Sequence, residues 1–595
     1  MTALFSLTLT PTLSRVGDTH VTVKKSKIMS TATHGEFDYV IVGAGAAGSL
    51  LANRLTVDGS VTVCVLEAGP SDHHPYIHIP AGFIKIGYNP RYTWQFKTEP
   101  SEGTAGRQIP IMHGRTLGGS SSINGFNYTR GLPIDYDTWA ERGNTGWSYA
   151  EVLPYFKRTE RRVGPFDPRY RGVEGLLPIT DSDWSHPLCD AFIDGAVAMG
   201  IPRNPDYNAE KQAGVGYYQR WIYHGRRVSS ARAFLRPAMK RSNLEVRTNA
   251  HAVAIMFEGK RAIGVRYSRG PGYPVENVRA RKEVILCGGA ANTPKLLQLS
   301  GVGPRALLDQ LGVPVVHDLP GVGENCQDHY MVRSSVRVKG VETLNSSARG
   351  FRLVGEIAKW MLGKPSLLAI SPSVAYAFWQ SRESLPVTDL QFCFSPGSFT
   401  SGLAGKLDFF PGMTLGFYQL RPHSTGFVRA QSTDPFQDPI IQPNYLSDER
   451  DRQVVIDGVR LTRRLLHTPQ LQVYCDRDEA PPASATSDSD LLDFARNNGG
   501  TAWHLIGTCR MGSPTAADSV VDGELRVIGM QGLRVVDASI MPTMPSGNTG
   551  AATMMIAEKA ADMILGHPPL PSEPLNARRS AVVERSTSEF ATVAA

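Results

Sequence analysis

A short apolar run closed by three glycines constrains this chain more than any other feature. Phe37-Asp38-Tyr39-Val40-Ile41-Val42 is followed at once by Gly43-Ala44-Gly45-Ala46-Ala47-Gly48, and Ser49 to Leu55 continues in a helical pattern. This predicts a buried strand, a tight turn, and a helix that opens toward the turn. In that context a GxGxxG pattern carries meaning, because glycines let backbone approach a pyrophosphate and the helix amides favour an anion. Ser60 to Gly69 reads as a second strand ending in an acid, Glu67. It lies about 20 residues past the glycine turn, where a carboxylate accepts ribose hydroxyls. The same carboxylate would repel a 2′-phosphate, so NADP is disfavoured. The fold class that follows is α/β, with a Rossmann-like dinucleotide-binding domain.

A chain of 595 residues is too long for one simple core, so a second domain is expected. Residues 331–500 change character. They are richer in aromatics, including Phe351, Trp360, Phe378, Phe392, Phe394, Phe399, Phe409, Phe417 and Tyr418. This block reads as an inserted substrate-binding domain of mixed α+β type on an antiparallel sheet. The expected order is a disordered extension over 1–35, the first domain over 36–330 with 151–225 contributing to the substrate side, the second over 331–500, a return over 501–566, and a disordered tail over 567–595. Gly106 to Arg130 reads as a long loop and Asp135 to Arg158 as helical. Asn243 to Tyr267 reads as strands, Asn292 to Leu299 as a helix, Arg534 to Ser539 as a buried strand ending in Asp537, and Gly550 to Leu565 as a helix. Phe351 to Leu362 has amphipathic spacing; a core helix is preferred over one lying on a membrane surface.

The formal net charge of +7 is modest for this length, and no basic cluster is interleaved with aromatics, so nucleic acid is not an expected partner. Seven cysteines without a CxxC pair read as free thiols in a reducing compartment, which favours the cytoplasm. No metal site is expected. No apolar run approaches the ~18 residues that span a bilayer. Met29, just ahead of the first strand, is a candidate start.

Two C-terminal segments carry the chemistry. Thr501-Ala502-Trp503-His504-Leu505-Ile506-Gly507-Thr508-Cys509-Arg510-Met511-Gly512 holds a histidine, and Pro545-Ser546-Gly547-Asn548-Thr549-Gly550 an asparagine. They combine with the glycine turn and Glu67, the Gly114–Asn124 loop, Gly288 to Pro294 running into Leu299 to Pro304, and Gly321 to His329. These segments, in this order, resemble the glucose–methanol–choline oxidoreductases over roughly residues 36–566. The resemblance implies FAD, held by Gly43, Gly45, Ala46, Ala47, Gly48, Glu67 and Ala68. Arg115, Leu117, Gly118, Gly119, Ser120 and Asn124 would come from the loop against the isoalloxazine. Val253, beside Ala252, would meet the adenine, and Asp537, Ala538, Asn548 and Thr549 would complete the site. His113 stands near the family's occasional covalent attachment point but two residues out of register, so no covalent link is expected.

The resemblance further implies oxidation of an alcohol. A neutral imidazole accepts a hydroxyl proton near neutral pH, and a side-chain amide donates to the same oxygen. His504 and Asn548 take these roles, with oxygen, a quinone or another acceptor receiving the electrons. His329 is read as structural and Cys509 as packing. Relatives that act on choline carry a glutamate where Val374 stands here, so choline is disfavoured and a neutral aromatic or aliphatic primary alcohol is expected. Related photodecarboxylases replace the histidine with asparagine and carry a cysteine where Leu420 stands, so that activity is not expected. The competing readings are a hydroxynitrile-type lyase on the same fold and a flavoprotein without turnover.

Overall fold

The computed structural model describes residues 33–400 and 406–573. Most of the expected extension and tail lies outside these residues. Two expected disordered stretches are ordered. Residues 33–35 belong to the first strand, Thr33–Val42. Residues 567–573 pack onto the helix Tyr149–Thr159, where Leu570 N–H donates to Tyr155 and Lys157 pairs with Glu573 at 2.7 Å.

The first sheet has seven strands. Leu244–Thr248, Val63–Glu67, Thr33–Val42 and Val275–Leu286 run parallel in that spatial order. On its other edge Val275–Leu286 serves two further partners. Its first half pairs antiparallel with Arg261–Ser268, and its last residues pair parallel with Leu533–Val535. Val40, Ile41, Val63, Val65, Val284 and Ile285 are fully buried, as expected for parallel strands covered on both faces. The helices Ala46–Leu55 and Gly550–Leu565 pack against each other. Parallel strands deliver their C-terminal ends to one edge, where open α/β sheets bind ligands. Gly43, Glu67, Gly288 and Asp537 all lie at that edge.

The second sheet is antiparallel throughout, in the order Cys475–Ala480, Tyr330–Val338, Gly412–Gln419, Leu390–Ser395, Ala375–Trp379 and Gly214–Tyr217, with Gly500–Thr501 added beside Tyr330. Successive side chains alternate between faces. Val332, Phe417, Phe392 and Ala377 form one cross-strand row, and they pack with Phe192, Val455 and Val459 of two covering helices. Met331, Tyr418, Gln391 and Phe378 form a row on the opposite face, toward the first sheet. Val428 and Ile441 pack with Ala290 and Ala291, on the cofactor side.

Several local expectations change. Within Gly106–Arg130, Pro110–Gly114 is a strand paired with Thr93–Lys97, and Gly119–Ser122 is a 3-10 turn. Asp135–Arg158 divides into Pro133–Glu141 and Tyr149–Thr159, because Gly143 and Gly146 between them take φ of 93° and 90°. The expected strand Arg534–Ser539 is Leu533–Val535 followed by a 3-10 turn at Ala538–Ile540. The core reading of the amphipathic helix is overturned. Gly350–Met361 has no buried residue, and Phe351 is 95% exposed. The apolar spacing is real, but no described element covers that face. Among the described residues no helix is long and apolar enough to cross a membrane.

Candidate active site

A cavity of about 690 Å³ runs from Glu67 to the inner face of the antiparallel sheet. At its first end, the helix Ala46–Leu55 opens without a side-chain cap, so its first amides remain available to an anion. Gly43 takes φ of 101°, and a Cβ there would stand 2.5 Å from the Cys287 carbonyl. Glu67 accepts from the backbone N–H of Ala44 at 2.9 Å and of Gly69 at 2.8 Å. Burial pushes it up to about 7, against those two hydrogen bonds and the charge of Arg115. Asp537 accepts from Gly289 N–H at 2.8 Å and Thr293 Oγ1 at 2.6 Å. Burial raises this carboxyl as well.

Gly43, Gly45, Ala46, Ala47, Glu67, Ala68, Gly119, Ser120, Asn124, Asp537, Ala538, Asn548, Thr549 and His504 all line the cavity. Five expected contacts do not. Gly48 packs on the turn, where a Cβ would stand 1.9 Å from the Gly43 carbonyl. Leu117 is a core residue, and Gly118 sits against Ser122 and Ala231. Arg115 lies over the Trp94 ring at 4.7 Å. Val253 is not among the lining residues; the neighbouring Ala252 and His251 line the cavity, beside a register irregularity between Ala252 and Ala254. Uncapped amides, close glycine backbone and an acid at the second strand end fit an FAD. Gly43, Gly45 and Ala46 would hold its pyrophosphate and Glu67 its ribose.

At the other end the polar chemistry is organised around one histidine. His504 N–H donates to Asp328 Oδ1 at 2.7 Å. The buried Asp328 also accepts from Tyr445 and Thr501, and burial pushes it up to about 6. Trp503, immediately before, takes φ of 63°, a strained value for a bulky residue. Gln327 and Ile506 exchange backbone hydrogen bonds, which sets the two segments side by side. As a result, His504 Nδ1 lies 2.9 Å from His329 Nδ1. His329 Nε2 lies 2.8 Å from the Leu420 carbonyl.

The tautomers follow from this chain. A carbonyl only accepts, so His329 Nε2 carries the proton. Burial pulls His329 down to about 4, so the ring is neutral and its Nδ1 accepts. His504 Nδ1–H therefore donates to it, and His504 Nε2 bears the lone pair. Burial, with His329 and His113 adding to it, holds His504 well below its ordinary value of 6.5. Asn548 is oriented just as firmly. Its Oδ1 accepts from Thr129 and from Gln391, both at 3.2 Å, so Nδ2 faces His504 Nε2 at 3.1 Å.

Sequence reasoning treated His329 as structural and did not find Gln391, Thr129 or Asp328. The Gly321–His329 motif was the available signal for His329; nothing local pointed to Gln391. Val374 is in the core behind the sheet, and Pro372 and Ser373 line the cavity in its place. Cys509 is buried, and burial raises its thiol well above the usual range, in keeping with packing.

The family model of the N-terminal part of GMC oxidoreductases matches residues 37–331, and that of the C-terminal part matches 422–557. The chain belongs to the GMC oxidoreductases. It is 41% identical over 537 residues to an oxygen-dependent choline dehydrogenase of Photobacterium profundum, covering 90% of this chain and 94% of that one. Among solved structures it resembles pyridoxine 4-oxidase from Mesorbium loti, with a TM-score of 0.79, 31% identity, and 89% and 99% of the two chains covered. It also resembles a formate oxidase variant of Aspergillus oryzae RIB40, with a TM-score of 0.84, 25% identity, and 90% and 99% covered. This GMC protein is an FAD-dependent oxidoreductase acting on CH–OH groups.

Proposed function

We propose that the enzyme oxidises a primary alcohol other than choline to its aldehyde, with His504 as the base and Asn548 as the group that holds the reacting oxygen. One observation carries the reading: the hydrogen-bonded chain from the Leu420 carbonyl through His329 to His504 leaves the lone pair on His504 Nε2, where the Asn548 amide meets it, and both side chains line the cavity. A substrate hydroxyl seated there takes the place of the Asn548 amide on Nε2 and gives that nitrogen its proton. The displaced Asn548 N–H donates to the substrate oxygen as negative charge develops on it. The chemistry FAD supplies when bound is acceptance of the hydride from the carbinol carbon.

The expectation of an aromatic or aliphatic pocket rested on the aromatics of residues 331–500. Of those named above, only Phe399 and Tyr418 line the cavity. Phe392, Phe394 and Phe417 belong to the core behind the sheet, and Phe409 is 87% exposed. Exclusion of choline is supported by charge. The cavity-lining carboxylates among the described residues are Glu67 and Asp537, both at the cofactor end. The relatives named choline dehydrogenases weigh the other way, which makes choline a required member of the test. A cytoplasmic location is supported by seven cysteines that are all free and buried.

The test is anaerobic titration of the flavin absorbance with benzylic, aliphatic and amino alcohols, repeated with His504→Ala. Bleaching by one class, slowed at least ~100-fold in the variant, is expected for a lost general base. A flavin that no alcohol bleaches, or one bleached equally fast without His504, would sink the reading.

A further inference from the structure

The cavity wall opposite the cofactor end is the inner face of the antiparallel sheet, and it carries a cation. Arg333 stands across from Gly416, which in turn stands across from Cys393. Arg333, Gly416 and Cys393 all line the cavity. Among the described residues, no hydrogen bond or ion pair to a carboxylate engages its guanidinium. The titratable groups facing it are the Cys393 thiol and the Tyr88 hydroxyl. Gly416 makes room for its stem, since a Cβ there would stand 3.3 Å from Arg333 Cγ.

The next row along the same face is Ser335, Thr414 and Ser395, in register across three strands. Thr414 and Ser395 are 6% and 3% exposed. Their Oγ1 and Oγ atoms are buried without a partner. Leaving a buried hydroxyl unpaired is costly, and beside these two Arg333 and Ser335 are half-buried. One guanidinium and three hydroxyls can all turn N–H or O–H donors toward a bound anion. Arg107, also on the wall, is committed to the Arg496 and Gly499 carbonyls. The wall thus offers one uncommitted positive charge, which matches a monoanion better than a phosphate dianion.

We propose that Arg333, with Ser335, Thr414 and Ser395, is an anion subsite, and that the substrate is a primary alcohol bearing a carboxylate. This deepens the reading of His504 as base and rests on it. The spacing sets the kind of hydroxy acid. Tyr418, whose ring centre lies 5.7 Å from that of His504, is two residues from Gly416 on one strand. Two residues span about 7 Å of strand, so hydroxyl and carboxylate are separated by several bonds. An ω-hydroxy acid fits; a 2-hydroxy acid does not. A quaternary ammonium would meet the like charge of Arg333 on this wall.

The experiment compares 6-hydroxyhexanoate, 4-hydroxybutanoate, glycolate, hexane-1,6-diol and choline as reductants of the FAD enzyme, in wild type, Arg333→Gln, Arg333→Lys and Arg333→Glu. Wild type is expected to favour an ω-hydroxy acid over the diol and choline by at least about tenfold in kcat/KM. The hydroxy acid:diol ratio is expected to fall about 10–100-fold in Arg333→Gln, the range for loss of a charge-assisted hydrogen bond. Arg333→Lys should retain most of the ratio, and Arg333→Glu should move preference toward choline. Flavin content and melting temperature report folding. If Arg333→Gln does not fold, the Lys variant and competition by hexanoate against the diol in wild type decide the matter. A wild-type preference for the diol, choline or glycolate overturns the proposal and leaves His504 untouched. So does a hydroxy-acid preference that survives in Arg333→Gln, or, in the fallback, failure of hexanoate to compete. Bleaching by none of the alcohols overturns the reading of His504 and this proposal with it.

Discussion

The most demanding prediction concerns His329, which does not line the cavity. His329→Leu removes the acceptor for His504 Nδ1–H, now 2.9 Å away, and the donor to the Leu420 carbonyl. A buried donor left without a partner costs about 1–3 kcal/mol. His504 can escape that cost by moving its proton to Nε2, where it meets the Asn548 amide and can no longer accept from a substrate. The fraction of enzyme with a competent base falls by the same free energy, which is about 5–150-fold. The loss should appear in the rate of anaerobic flavin reduction at saturating alcohol, with KM little changed, because the ring still occupies its place. His329→Asn, whose Oδ1 can accept from Nδ1–H, should recover part of the rate. A His329→Leu variant with full flavin content that reduces within twofold of wild type would refute the tautomer argument. An equal loss in the Leu and Asn variants would assign His329 to packing alone.

Three further outcomes follow from the same geometry. His504 accepts a proton only when neutral, and burial holds it below 6.5, so kcat/KM should stay flat as pH falls to 6.5 and decline only below it; an acid limb centred at or above 6.5 contradicts the burial argument. His329 and His251 are held at about 4 and about 3 against 6.5 unfolded, so the unfolded chain binds more protons below pH 6.5 and stability is lost as pH falls. At pH 5.5 the two groups together cost about 3 kcal/mol relative to pH 8, which thermal melts at the two pH values measure. Gly119 takes φ of 51°, and a Cβ there would stand 2.7 Å from Gly45 Cα, so Gly119→Ala must push the loop off the helix opening; purified variant with full flavin content would show that this close approach is dispensable.

The parts legible in the sequence were those whose cause is local. A strand that must be buried, glycines that must lie close and an acid at a strand end are written in consecutive residues, and the first sheet's edge follows from them. The helix Gly550–Leu565 was legible to the residue, because Thr549 and Gly566 bound an uninterrupted apolar pattern. His504 was found because its neighbours are distinctive. What made it a base was not local. His329 lies 175 residues away, and it reaches His504 only because Gln327 and Ile506 pair across that distance.

The antiparallel sheet shows why the substrate side was the harder half. Tyr330–Val338 reads Tyr-Met-Val-Arg-Ser-Ser-Val-Arg-Val, and its alternation is plain once drawn as a strand. Alternation says that Met331, Arg333 and Ser335 share a face; it does not say whether that face meets solvent, a helix or a cavity. An arginine in such a strand is most often a solvated edge residue, and here the partner that makes it otherwise is the first sheet, built from distant parts of the chain. The aromatics misled for the same reason. Phe392, Phe394 and Phe417 alternate with Gln391, Cys393, Gly416 and Tyr418, so the apolar half of each strand went to the core and the polar half to the substrate. A count of aromatic residues therefore measured the thickness of the core behind the sheet. The substrate's chemistry is carried by the residues between them.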